Sequence, residues 1–202
     1  MGMFPAVPDP IDSELQPMSM PPELEVLPEG GKVVGVVGHI TRRKNLDLIA
    51  RALCLTPSVT ALVVGGKFEP GELERCQESL AQLSDSGTTV HIVDRSLEDS
   101  ELAWLIERTA VVVVAHSSEG PSGILGMCAA IGTPVAAAGA RSLRGDVRRL
   151  RCGTWSRLDE LSLAEGIQAA ERMRPTPALL AGSADFARAM LALDDAPGGV
   201  RP

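Results

Sequence analysis

The residues best suited to chemistry follow runs of apolar residues. Glu119 lies in the polar turn SSEGPSG (117–123), after four consecutive valines, Val111 to Val114, and before a small-residue stretch ending at Gly132. A buried strand, a glycine-rich turn and a tightly packed helix put a helix N-terminus at the carboxyl edge of a parallel sheet. There the unpaired amides and the helix dipole favour a phosphate. A carboxylate beside them accepts hydrogen bonds from hydroxyls, which makes Glu119 the candidate catalytic residue. Gly120, Ser122 and Gly123 are candidate contacts to a phosphorylated, hydroxyl-rich ligand, and Ser122 is equally a natural N-cap.

A second group follows the first apolar run, VVGVV (33–37). Gly38 ends that run, His39 comes next, and Lys44 lies one turn further on in GHITRRKN. Lys44 reads either as a point charge for a diphosphate or as a solvated cation at a helix start. Arg42 and Arg43 share the turn and either assist it or face water. His39 and His116 each end a strand and are placed to meet a phosphate or a sugar hydroxyl, although a lone histidine is more often a packing residue. Gly65 and Gly66 close the next apolar run, and Gly65 joins Gly38, His39, Lys44, His116, Gly120, Ser122 and Gly123 as a candidate binding residue.

The elements that position these residues alternate between two periods. VVGVV (33–37), ALVV (61–64), VHIV (90–93), VVVVA (111–115) and PVAAA (134–138) read as buried strands, with a short sixth strand near Gly153 to Trp155. Between them, Leu46, Ile49, Ala50 and Leu53 recur at helical spacing, as do Leu73, Cys76, Leu80 and Leu83. A third helix buries Leu102, Leu105 and Ile106, and further helices are expected over 157–173 and 177–193. This alternation predicts an α/β fold: a single Rossmann-like, doubly wound parallel sheet with helices on both faces. The turns at 38–44, 65–67, 94–96, 116–123 and 139–144 all follow strands, so they gather on one rim, where such sheets bind ligands.

Composition narrows the class. With 202 residues, 45% of them hydrophobic and 22% charged, the chain suits one soluble globular domain. Residues 1–30 hold seven of the fifteen prolines and read as an extended linker, 31–195 as the folded domain and 196–202 as a frayed tail. A net charge of −7 argues against nucleic acid as the main partner. The arginines at 141, 144, 148, 149 and 151 read as a solvated helix face. No apolar run approaches a membrane span, and the start of the chain lacks a signal-peptide pattern, so a cytoplasmic location is expected. Four scattered cysteines without a CxxC pair predict buried, reduced thiols and no metal site. There is no GxGxxG fingerprint, no Walker lysine–serine pair and no GxSxG elbow.

VVGVVGHITRRKNLDLIARAL, ALVVGG, VHIVDRSLEDSELAWLIERTAVVVVAHSSEG and AAIGTPVAAAG, in this order, resemble the C-terminal domain of group 1 glycosyltransferases, which have two Rossmann-like domains. VPDPID (7–12) is similar to their interdomain linker, and the likeness spans roughly residues 5–155. In that family this domain binds the nucleotide-sugar donor. Lys44 matches the lysine that holds the diphosphate, and Glu119 matches the first of two glutamates with seven residues between them, which contacts the donor sugar. The companion arginine falls on His39 and the second glutamate on Met127. Ser122, with Gly123 beside it, replaces the glycine of the phosphate turn. A thioether in place of the second carboxylate removes a charged hydrogen bond of roughly 1.5–3 kcal/mol.

The resemblance implies a retaining glycosyltransferase that uses a UDP- or GDP-linked sugar as substrate, with no cofactor and no metal. It also implies a missing partner: an N-terminal Rossmann-like acceptor domain, a partner subunit or a second copy of the chain. Alone, the chain is expected to be inactive. The other reading is a non-catalytic interaction module that kept the fold and lost the chemistry. A sugar-nucleotide epimerase of similar architecture is a third, lacking its longer C-terminal signature.

Overall fold

The structure, a computed structural model, describes residues 19–24 and 31–178. Most of the expected linker, most of the helix expected over 177–193 and the tail over 196–202 lie outside the described residues. Six parallel strands form one sheet: β1 (Val33–Val37), β2 (Ala61–Gly65), β3 (Thr89–Val93), β4 (Val111–His116), β5 (Val135–Gly139) and β6 (Gly153–Ser156). Their spatial order is β3-β2-β1-β4-β5-β6. Helices α1 (Leu46–Cys54), α2 (Glu72–Asp85), α3 (Asp99–Arg108), α4 (Gly123–Ile131), α5 (Arg141–Leu150) and α6 (Glu160–Ala170) join or follow them.

The apolar runs become strands because both of their faces are covered. Val34, Val36, Leu62, Val64, Val113 and Ala115 pack on one side with α1, α2 and α6. Val33, Val37, Val63, Val112, Val114 and Ala137 pack on the other with α3, α4 and α5. The central strands β1, β2 and β4 are buried throughout, which is why they read as unbroken apolar runs. The edge strands β3 and β6 are only partly covered.

Small departures from expectation have local causes. β5 runs to Gly139 and α5 begins at Arg141, so the rim turn after β5 is only Ala140, not 139–144. On α3 Ala103 is buried and Leu102 is half-buried, since Leu102 turns towards the rim. Cys76, Cys128 and Cys152 are buried thiols, but Cys54 at the end of α1 is exposed. Of the expected linker, Ser19–Leu24 lies against the start of α3. Leu24 is buried, Glu23 pairs with Arg95 at 2.8 Å, and the Ser19 and Ser100 hydroxyls are 2.8 Å apart.

The strand order reverses between β1 and β4. These two strands pair at Val34↔Val111 and Gly35↔Val112, against five pairs between β1 and β2. They part beyond Gly35, and a crevice opens at the carboxyl end. Asn45 stitches the crevice together. It adopts left-handed geometry (φ +53°) after the 3-10 turn Arg42–Lys44. Its Nδ2 donates to the carbonyls of Arg43 (2.7 Å) and Ala115 (2.9 Å), and Ser117 N donates to the same Arg43 carbonyl at 3.0 Å.

Asparagine tolerates that backbone region better than most residues and supplies both donors. Replacing Asn45 with Ala is expected to lower unfolding stability by about 2 kcal/mol in denaturant titrations. Asn45→Asp, which keeps the backbone preference but sets a carboxylate against two carbonyls, is expected to cost at least as much.

Candidate functional site

The crevice gathers most of the sequence-predicted residues, but in three separate groups. Lys44, His116 and Ser122 line a void of about 10 Å³ between β1, β4 and the start of α4. That is room for about one water. The Lys44 ammonium donates to the Val37 carbonyl at 2.7 Å. Where β1 and β4 separate, this carbonyl is met by a side chain, so Lys44 replaces a ladder donor. Desolvation, with the charge of Arg43 second, lowers the Lys44 pKa to about 8.

His116 is 2% exposed and its Nδ1 is buried without a partner. Desolvation, then the charges of Arg43 and Lys44, lower its pKa to about 4, so the ring is neutral at physiological pH. Next to it, Ser122 caps α4, its hydroxyl accepting from Leu125 N at 3.4 Å. The amides of Gly123 and Ile124 start the helix with no acceptor of their own. Open space lies where a Gly123 side chain would be.

Gly38 and His39 belong to a second group. Together with Gly66, Lys67, Ser96, Leu97 and Leu102 they line a cleft of about 380 Å³ on the rim, within the range of small-ligand pockets. Gly38 (φ +84°) is the partition between cleft and void, because a Cβ there would meet Lys44 Nζ at 3.1 Å and Ile124 Cδ1 at 3.3 Å. Gly66 passes so close to the Gly38 carbonyl that a Cβ would lie 2.1 Å from its oxygen. Gly65, by contrast, is buried under Leu97 and Leu105 and makes room for packing. Asp94 holds the cleft's far wall, accepting from Phe68 N at 3.0 Å and Lys67 Nζ at 3.3 Å.

Glu119 forms the third group. Its two oxygens accept from Arg141 N and Ser142 N, each at 2.8 Å, at the first turn of α5. These amide bonds, that of Arg141 first, hold its carboxyl below the usual carboxylate range. Ala140, the residue in the cap position of α5, has no side chain able to cap, so Glu119 does this from 21 residues upstream. Ser142 Oγ returns a bond to the Gly120 carbonyl at 3.0 Å. Arg43, like Arg42, stood open in the sequence between assisting Lys44 and facing water. Its Nη1 lies 3.2 Å from where a Gly120 Cβ would be, so the guanidinium overlies the turn before α4. The adjacent cations in RRK were the available signal, but spacing does not tell which one turns inward.

The arrangement can hold an anion, with main-chain amides and cations converging and no carboxylate paired with Lys44 among the described residues. Among those residues no cluster of three or more His, Cys, Asp or Glu side chains is placed to hold a metal. No helix there is long and apolar enough to cross a membrane.

No protein-family profile matches the chain. No curated protein matches it either. Solved structures do. Sucrose-phosphate synthase from Thermosynechococcus elongatus is 22% identical, with a TM-score of 0.67 over 93% of this chain and 47% of that one. HepE from Anabaena, solved in complex with UDP and glucose, is 17% identical, with a TM-score of 0.63 over 92% and 55%. The C-terminal domain of a group 1 glycosyltransferase from Francisella tularensis is 15% identical, with a TM-score of 0.51 over 79% and 95%. The chain thus has the fold of a C-terminal GT-B glycosyltransferase domain, and it spans about half the length of the first two proteins.

Two outcomes check this geometry. The His116 ring resonances are expected to stay in the neutral state from pH 8 down to about 5. Its pKa is depressed from 6.5 to about 4, so the unfolded chain binds the extra proton first. Stability should therefore fall as pH drops from 6.5 towards 4, by about 2–3 kcal/mol. Below 4.5 the carboxylates with depressed pKa, Glu119 included, add to the loss in the same direction. Comparing the pH slope of unfolding with that of His116→Asn isolates the histidine. In Glu119→Ala, the Arg141 and Ser142 amides are expected to lose protection in hydrogen exchange, while amides in β4 keep theirs.

Proposed function

We propose that this chain is the donor-binding domain of a retaining glycosyltransferase, holding a nucleoside-diphosphate sugar on the carboxyl rim of its sheet. The observation that carries the reading is the Lys44 ammonium. It is desolvated beneath the free amides of Gly123 and Ile124 with no carboxylate to neutralise it among the described residues. A diphosphate at those amides supplies the absent counter-charge. The void itself has no room for a phosphoryl group, so the anion sits outside it, with Lys44 as the charge below and Ser122 at its edge.

The 380 Å³ cleft beside Gly38 and His39 suits the nucleoside, and Ser96 and Leu97, just after Asp94, lie in its wall. The sugar then extends towards His116, Gly120 and Glu119. Such transfer develops negative charge on the departing nucleoside diphosphate, so fixed cations and amides lower the barrier more than a general base would. Glu119 orients the sugar hydroxyls in this reading. The acceptor is bound by a second Rossmann-like domain, in a longer chain or a partner subunit, and transfer takes place between the two.

A second reading is favoured by two observations. Both oxygens of Glu119 are engaged in capping α5, and Met127, half-buried, packs against the core where the resembling family carries its second glutamate. A domain in this condition would serve as a non-catalytic interaction module.

Calorimetric titration with UDP, GDP and their hexose conjugates separates the two. Binding of one nucleotide at submillimolar concentration is expected. Lys44→Gln should weaken it at least tenfold, equivalent to about 1.4 kcal/mol. Affinity should decline as pH rises through about 8, where Lys44 loses its proton, and this decline should vanish in Lys44→Gln. A folded protein that ignores every nucleotide at millimolar concentration would support the interaction module instead.

A further inference from the structure

Among the arginines of the described residues, Arg51, Arg75, Arg95, Arg149 and Arg157 each pair with a carboxylate. Arg43 does not. Its neighbours are another cation, Lys44, and the neutral, buried ring of His116, and its charge depresses the pKa of both. A half-buried guanidinium beside a desolvated ammonium is unfavourable unless an anion completes the group.

The position of Arg43 is fixed by its main chain. Its carbonyl accepts from Asn45 Nδ2 and Ser117 N, which clamps the residue between the exits of β1 and β4. The side chain makes no hydrogen bond among the described residues, yet it overlies Gly120 with Nη1 3.2 Å from the position of a Cβ. Gly120 opens onto the same turn as Ser122, whose helix presents the free amides of Gly123 and Ile124. Behind that turn His116, 2% exposed and with Nδ1 unpartnered, lines the Lys44–Ser122 void.

We infer that Arg43 is the permanent cation of the anion subsite in this chain, reaching over Gly120 to grip the phosphoryl oxygens held at the start of α4. His39, whose position after β1 first suggested a phosphate contact, is exposed and lines the neighbouring cleft. Arg42 is exposed on the outer side of the same turn. A guanidinium keeps its charge at any physiological pH and offers a planar fork of donors to two oxygens at once. The assignment rests on the donor-site reading above and names the group that carries most of its charge recognition.

The test uses the full chain and two probes, inorganic pyrophosphate and UDP, titrated by calorimetry at pH 7 and low salt. Arg43→Gln and Arg43→Met are expected to weaken pyrophosphate binding at least tenfold, Arg43→Lys less, and Arg42→Gln less than twofold. Thermal melts should place these variants close to the parent, because the guanidinium has no intramolecular hydrogen bond to lose. If Arg43→Gln binds pyrophosphate within fivefold of the parent, or Arg42→Gln loses as much, the role of Arg43 is overturned while the donor-site reading stands. If the parent itself binds neither probe, both are overturned.

Discussion

The structure turns on the parting of β1 and β4. Wherever strands stay paired, backbone donors and acceptors satisfy one another and leave nothing for a ligand. Past Gly35 the central ladder stops, and the Val37 carbonyl must find a donor elsewhere. Lys44 supplies it, and that requirement draws an ammonium into the sheet's interior. Asn45 and the Arg43 carbonyl then close the gap from above, so the turn after β1 and the exit of β4 become one rigid unit. The placing of the cations is thus a by-product of mending a broken ladder.

This origin explains why the site is electrostatically one-sided. Lys44 is held by a carbonyl rather than a carboxylate, and Arg43 is held by its backbone alone. Asp47, three residues beyond Lys44, is paired with Arg51 and Arg75, and Glu119 is engaged by the amides of α5. The chain as a whole carries a net charge of −7, so the unpaired cations of the rim run against its overall balance.

Much of this was legible in the chain before any coordinates. Unbroken valine runs declared strands covered on both faces, and the alternation with helical spacings gave the parallel sheet and its functional rim. The short strand near Trp155 was visible in the same way. What could not be read were bonds between distant positions. Glu119 looked like a free acid because its partners, Arg141 and Ser142, lie more than twenty residues on and were assigned to a loop. Arg42 and Arg43 looked alike because sequence spacing does not record which side chain turns towards the crevice. Gly65 read as the binding glycine, although it accommodates Leu105, and Gly66 is the one that meets the Gly38 backbone and lines the cleft.

The bond between Glu119 and the first turn of α5 has a mechanical side. With Ser142 tied to Gly120 as well, residues 119 to 142 form a noose whose neck is closed by hydrogen bonds, with α4 and β5 inside it. A pull on α5 is felt first at the neck, one residue from the turn that aims the α4 amides. Helix α5 and the first turn of α4 are therefore levers on a common fulcrum.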